Sequence, residues 1–402
     1  MKINKGYKYK IKPNKEQILY FEQAFGCNRK LYNTYVDYLY NQLEQQNYIN
    51  GLIKNIKLPS PKSIKDNFDY MKEIDSLSFC NTQIGFKNAI KKFNKTYDKK
   101  SYTKRSLKRK KTLNIIPTFR DLKGIPKFKS KKMNQDSFKT NNQSRGGKWR
   151  DIRIQDNLLY MPKIKGSIKI VFHRQLPKNS IIKNITISKD CRGIYYASLC
   201  VEYDKDIKKI SSNKVLGLDY SQHDFYVSSK GEKANYPRYY RKMENKLKLE
   251  QQKLSRKQLK SNNWIKQKKK ISKIQLKIAN QRKNWLHKKS YELANNFDAI
   301  VVEDIDLRSM GQTLHLAKNL HDNGFGMFRI MLKYKLEERG KQFIKIDRFY
   351  PSSKRCNDCG HINKELKLND REWVCSECGS IIDRDYNAAL NIKEVGTTLL
   401  AW

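Results

Sequence analysis

The sequence predicts a multidomain α+β protein, in which a small β-barrel or sandwich carries an inserted helical region and precedes an α/β layer and a metal-binding knuckle. Three observations lead there. The 402 residues are 38% hydrophobic and 11% aromatic, enough for about two to three domains and too aromatic for a wholly disordered chain. The hydrophobic periodicity passes from helical spacing to short β-rich runs and then to strands alternating with long helices. Near the C-terminal end, four cysteines fall into two CxxC pairs.

Tyr7, Tyr9 and Ile11 alternate and stop at Pro13, which predicts a short strand. Asn14, with Gln17 three residues on, is the N-cap of a capping box. Ile18, Phe21 and Phe25 then recur at helical spacing, as do Tyr32, Tyr35 or Val36, Leu39 and Leu43. Pro59 and Pro61 break the helical region before a further helix carrying Ile84, Ile90 and Phe93. The run KKSYTKRSLKRKK, Lys99 to Lys111, has no apolar periodicity and reads as a solvated loop or a nucleic-acid contact. Ile152 to Ile154, Leu158 to Met161, Ile168 to Phe172, Ile181 to Ile187 and Tyr195 to Tyr203 are short strands. We expect the strand at Tyr7 to join them, which makes the helical segment an insertion.

Val215 to Asp219 reads as a buried strand ending in a carboxylate, and Asp224 to Ser229 as a second strand before Gly231. Residues 240 to 294 form a long charged helical region. Leu247 and Leu254, then Ile271, Ile274, Ile278 and Trp285, mark an apolar seam. Ser261-Asn262-Asn263 interrupts it, so an intramolecular helical hairpin is expected rather than a dimeric coiled coil. Ala299 to Glu303 is another buried strand ending in an acid.

Eighty-five Lys and Arg residues against 39 Asp and Glu leave a net charge of +46. A field of that size is tolerated mainly when a polyanion neutralises it. This excludes an ordinary neutral metabolic enzyme as the default and makes nucleic acid the first candidate partner. The charged N-terminus has no apolar core, and stretches such as Ala299 to Val302 are too short to span a bilayer. The expectation is a cytoplasmic protein with no membrane partner. In a reducing compartment Cys27, Cys80, Cys191 and Cys200, which lie singly, read as buried small hydrophobes.

The pairs Cys356/Cys359 and Cys375/Cys378 are separated by 15 residues, the spacing of a four-thiolate zinc ribbon, and Gly360 and Gly379 supply the turn after each pair. Two disulfides are the competing reading. Four cysteine ligands leave no open position, so the zinc is expected to be structural. Asp219 and Glu303 end buried strands, where α/β sheets place their chemistry. A third acid lies in DRDYNAALNI, which holds Asp383 and Asp385 and opens an Ala-rich helical stretch. Three such acids in a strongly basic chain suit a divalent-metal phosphodiesterase in which carboxylates hold Mg²⁺.

GLDYS at 217–221, NQRKNWLHK at 280–288, IVVEDI at 300–305, FYPSSKRCNDCGHIN at 349–363 and DRDYNAALNI at 383–392 closely resemble the TnpB family, transposon-encoded RNA-guided nucleases akin to Cas12 effectors. So do GYKYKIKPNKEQ, FGCNRKLYN, PKFKSKK at 126–132 and FHRQLP at 172–177. The resemblance implies a wedge-type β-barrel (1–13 and 118–210) with an inserted helical recognition domain (14–117). A RuvC-like nuclease of RNase H fold (211–355 and 381–402) would follow, interrupted by a zinc ribbon (356–380) that binds target nucleic acid. It also implies catalytic, Mg²⁺-binding roles for Asp219, Glu303 and Asp385, with two Mg²⁺ ions and one Zn²⁺. The implied partners are a guide RNA and target double-stranded DNA beside a short adjacent motif, with one chain per RNA. Asp383 is then a cap or ion-pair partner, and Asp304 should face away from Glu303.

Many relatives carry Leu-Gly after the first acid, where this chain has Tyr220-Ser221. The alternatives are a CRISPR-guided effector derived from the family, a non-cleaving DNA- or RNA-binding repressor, and a strand-joining transposase. Intact acids and cysteines count against the repressor.

Overall fold

A computed structural model describes residues 1–95, 102–114, 116–131, 136–145, 148–149, 151–208, 214–259, 261–307, 310, 322–367 and 370–400. The chain divides into two compact units, Met1–Lys205 and Asp206–Trp402.

In the first unit β1 (Lys2–Lys12) is followed by α1 (Lys15–Gln45), α2 (Pro61–Asp66), α3 (Asp69–Lys72), α4 (Ser76–Lys95) and α5 (Lys104–Leu113). Then come β2 (Ser137–Asn141), β3 (Ser144–Arg145), β4 (Lys148–Trp149), β5 (Arg153–Gln155), β6 (Leu158–Tyr160), β7 (Ile168–Val171), β8 (Ile181–Lys189) and β9 (Tyr195–Asp204). Seven strands form one antiparallel sheet in the order β2-β8-β9-β1-β7-β6-β5. β1 lies at its centre, Tyr7 opposite Leu199 and Ile11 opposite Ile170, so the helices are indeed inserted between paired strands.

The capping box forms: Gln17 N–H donates to Asn14 Oδ1 (2.8 Å) and Asn14 N–H to Gln17 Oε1 (3.0 Å). The two helical stretches that follow are one helix of 31 residues, α1, burying Phe21, Phe25, Leu31, Tyr35, Leu39 and Leu43. In α4 the buried face is Phe79, Phe86 and Phe93; Ile84, expected inward, is 54% exposed, because a stripe every seventh residue leaves it on the opposite side. The cationic run also departs from the loop reading. Thr103 caps Ser106 N–H and Lys104–Leu113 is helical, since Lys, Arg and Leu are good helix formers even without an apolar stripe; residues 99–101 lie outside the described residues. Cys27 is buried and its thiol is pushed up to about 11 by desolvation. Cys80 is exposed and Cys191 and Cys200 are half-buried, so buried-hydrophobe behaviour holds for Cys27 alone of these four.

The second unit contains β10 (Val215–Asp219), β11 (Val227–Ser228), α6 (Tyr239–Ser255), α7 (Asn262–Asn296), β12 (Ala299–Glu303), α8 (Phe325–Glu337), β13 (Gln342–Ile346), β14 (Glu372–Val374), β15 (Ile381–Asp383) and α9 (Arg384–Thr398). The sheet order is β11-β10-β12-β13, with β10, β12 and β13 parallel and β11 antiparallel. β11 is shorter than the 224–229 strand expected. α6 and α7 form the intramolecular hairpin: Ser261 caps α7 through Trp264 N–H, and Gln267 donates to the Glu250 carboxylate.

Strand alternation sorts the sheet into two faces. Leu216, Leu218, Ile300 and Val302 pack with Leu286 and Leu293 of α7 and Phe325, Phe328, Leu332 and Leu336 of α8. Val215, Ala299 and Val301 pack on the other side with Ile392 of α9. Among the described residues, no helix is long and apolar enough to cross a membrane.

Candidate functional site: strand-end carboxylates beside a four-thiol knuckle

Asp219 and Glu303 occupy the last positions of β10 and β12, neighbouring parallel strands in which Leu218 pairs with Val302. Period two puts Asp219 on the face of Gly217, and Glu303 on the face of Val301. α9 lies against that face at contact distance. A Cβ on Gly217 would sit 2.2 Å from Ala389 O, and one on Gly396 would sit 2.3 Å from Val301 Cγ1 and Cγ2. Running past Gly217, the helix brings Asp385, in its first turn, toward Asp219.

Electrostatics record the convergence. The carboxyl of Asp219 is held well above the usual carboxylate range, first by desolvation, then by Asp385 and Glu303, with Arg384 opposing. Glu303 is raised to about 7 by desolvation. Asp219, which feels both other acids, is a hard oxygen donor of the kind that suits Mg²⁺, but among the described residues only the four cysteines bring three or more ligand atoms within 4.8 Å of one another, so the three acids approach without closing into a metal cage. Asp304 faces elsewhere, paired with Lys345 (2.8 Å), Arg348 (3.6 Å) and Arg329 (3.8 Å).

Asp383 is the N-cap of α9, accepting from Tyr386 N–H at 2.8 Å. Asp385 instead receives two guanidinium groups: Arg384 Nη2 at 2.9 Å on Oδ1 and Arg371 Nη1 at 3.1 Å on Oδ2. Pairing of β14 with β15 continues into Arg384 N–H donating to Arg371 O (2.9 Å), so this hairpin presents both arginines to the one acid.

The knuckle itself places four thiols within 4.8 Å of one another, with Cys356 Sγ to Cys378 Sγ 3.7 Å and Cys359 Sγ to Cys375 Sγ 3.5 Å. These separations exceed the ~2 Å of a disulfide and approach the ~3.8 Å between sulfurs on a tetrahedral zinc with Zn–S near 2.3 Å. The donor set fits zinc. Gly360 and Gly379 take φ of +80° and +73°, letting their N–H groups turn back to the carbonyls of Cys356 and Cys375. Trp373 and Ile382 form a small core with Cys356 and Cys375.

Asn387 and Asn391, one turn apart on α9, fasten the knuckle to the helix. Asn387 accepts from Asn357 N–H (2.9 Å) and donates to Arg355 O (2.8 Å). Asn391 donates to Ser352 O (2.8 Å) and Arg355 O (2.6 Å) and accepts from Arg355 Nη1 (2.9 Å) and Asn357 Nδ2 (3.1 Å). Sequence reading did not single out these asparagines, nor Arg371 and Arg384. A pair of amides at i and i+4 among the Ala and Ile residues of one helix face was the available signal.

Three family models match. They are described as a helix-turn-helix domain (residues 1–47), a probable transposase (198–313) and a Cas12f1-like TNB domain (325–392). Within the first, the structure has one strand and one unbroken helix in place of two helices and a turn. A putative RNA-guided DNA endonuclease of Streptomyces pristinaespiralis is 27% identical over 98% of this chain and 90% of its own. The putative RNA-guided DNA endonuclease InsQ of Escherichia coli K12 is 30% identical over 70% of this chain and 71% of its own. The chain belongs to the TnpB family. Its fold is similar to that of Cas12f1 in a cryo-EM complex with sgRNA and target DNA: TM-score 0.57 at 16% identity, over 94% of this chain and 83% of that one. In this TnpB-family chain Tyr220 directly follows Asp219. It is buried against Phe325, and its hydroxyl accepts from Asn323 Nδ2 at 2.9 Å.

Proposed function

We propose that this protein is an RNA-guided, Mg²⁺-dependent DNA endonuclease, with Asp219, Glu303 and Asp385 as the metal-holding carboxylates of a RuvC-like centre. The observation that carries the chemistry is the approach of Glu303 and Asp385 to Asp219 at the strand ends. The kinship with proteins named RNA-guided DNA endonucleases supplies the substrate class. Base pairing with a guide would select the sequence, while the protein reads duplex shape and a short adjacent motif. The domain plan that goes with this reading is a wedge-type barrel with its helical insertion in the first unit and the nuclease with its zinc ribbon in the second.

Asp219, Glu303 and Asp385 would hold the Mg²⁺, which would supply Lewis-acid stabilisation of the charge developing on the scissile phosphate. The chain positions them. β10 and β12 fix two carboxylates by sheet register, and α9 supplies the third through its packing on Gly217. The knuckle holds α9 through Asn387 and Asn391.

The test is cleavage of a guide-complementary duplex in Mg²⁺ by protein loaded with its copurifying RNA. Asp219→Ala, Glu303→Ala and Asp385→Ala should each abolish cutting of both strands and leave target binding intact, because removing an acid does not weaken phosphate attraction. Asp383→Ala should retain partial cleavage. If Asp385→Ala cuts normally and Asp383→Ala is dead, the third ligand is misassigned by two residues; if both cut normally, the nuclease reading fails. A transposase reading is favoured by the match at 198–313. Strand-transfer products in the same assay would establish it. Sequencing the bound RNA distinguishes a guide transcribed beside a transposon end from one transcribed from a CRISPR array.

A further inference from the structure

Phe349 is 86% exposed. A single exposed ring is ordinary by itself; what marks this one is where the chain holds it and the charges around it. Its position is fixed by a turn directly after β13: Phe349 N–H donates to Asp347 Oδ1 (2.7 Å) and Tyr350 N–H to Asp347 O (3.3 Å). Tyr350 packs against the core beneath α9, so the turn sends one ring outward and the next inward.

That turn starts beside the carboxylates. Glu303 pairs with Ile346 in the β12–β13 ladder, and Asp304 N–H donates to Ile346 O at 3.1 Å. Phe349 is three residues further, within about 10 Å of chain reach. Lys345 and Arg348, each with a side chain 46% exposed, share the Asp304 carboxylate with Arg329. Three cations on one acid leave an excess of positive charge beside the ring. A protein partner for an exposed ring would be expected to bring apolar surface to a rim that here is cationic. A single nucleic-acid strand offers a π-face and flanking phosphates together, whereas the bases of a duplex are already stacked.

We propose that Phe349 is a stacking platform for an unpaired base of the DNA strand entering the Asp219–Glu303–Asp385 centre, with Lys345 and Arg348 holding the phosphates beside it. The assignment rests on the nuclease reading, and it makes Phe349 a positioning residue.

The test uses guide-loaded full-length protein bound, with Ca²⁺ replacing Mg²⁺, to target duplexes carrying 2-aminopurine at successive positions of the displaced strand. At one position the emission should be quenched by wild-type protein and by Phe349→Trp, and restored by Phe349→Leu and Phe349→Ala. In Mg²⁺, Leu and Ala variants should cut about 5- to 150-fold more slowly, the loss of one base–aromatic stack, with target binding, zinc content and melting temperature unchanged. Arg348→Gln should weaken the salt dependence of strand engagement without restoring emission. The proposal is overturned if Phe349→Leu behaves as wild type, or if no DNA position senses residue 349. A response confined to 2-aminopurine in the guide would replace DNA by RNA as the occupant. Quenching without any wild-type cleavage would leave the platform standing and remove the nuclease reading.

Discussion

Glu303 titrates at about 7 because burial disfavours its charged form. In the unfolded chain the same carboxyl ionises near 4.5. The metal-free fold therefore loses stability as pH rises from the unfolded value through about 7, where the buried group must give up its proton. A bound divalent ion reverses that, since it requires the deprotonated acid. The rise in melting temperature on adding Mg²⁺ should thus grow as pH increases through about 7, and Glu303→Gln should reduce the dependence in a thermal-shift titration, leaving the part that Asp219 contributes. Asp383 carries a different load. As N-cap of α9 it should cost roughly 1 kcal/mol on replacement by alanine and almost nothing on replacement by asparagine, measured by denaturant unfolding. The strand-end acids were legible because four apolar or glycine residues precede each one. Arg371 and Arg384 were not, since which of 85 cations reaches Asp385 depends on the pairing of β14 with β15.

Among the elements, α9 carries the third acid, and two contacts decide where it sits. Gly217 lies so near the helix backbone that a methyl group would strike Ala389 O. A main-chain carbonyl cannot rotate away as a side chain can. Gly217→Ala should destabilise by about 1–3 kcal/mol and suppress cleavage with all three carboxylates intact, read by urea unfolding alongside single-turnover cutting. At the other contact, Asn391 is fully buried and its amide is bonded on both sides. Asn391→Ala should leave those partners unsatisfied at a cost of roughly 1–3 kcal/mol. It should also raise the Mg²⁺ concentration needed for half-maximal rate while zinc content stays unchanged. Cys375→Ser should lose zinc and activity together, since the knuckle then no longer holds α9; full activity in a zinc-free preparation would refute that coupling. The capping box of α1 and the interruption at Ser261 were readable because they are local hydrogen-bond chemistry. The inward face of α4 was not, because apolar residues lie on more than one side of it.

For the whole molecule, +46 on 402 residues predicts purification with bound RNA and an affinity that falls steeply with salt. Recovery of stable, nucleic-acid-free protein from a low-salt lysate would contradict it. The bipartite build agrees with the change of periodicity along the chain: an antiparallel sheet with inserted helices, then a mostly parallel sheet covered on both faces.

The sequence by itself determined the partner class, the four thiols, the two strand-end acids and the strands and helical hairpin between Val215 and Glu303, because charge balance, ligand spacing and hydrophobic period are properties of neighbouring residues. It also carried the resemblance from which Asp385, rather than Asp383, was drawn as the third acid. Only the tertiary structure brought Glu303 and Asp385 toward Asp219, made Asp383 the cap of α9, tied the helix to the knuckle through two asparagines, and left Phe349 in solvent on the turn after β13. Those relations join residues that lie close in space whatever their separation along the chain, and they follow from sheet register and helix packing, which no local pattern encodes.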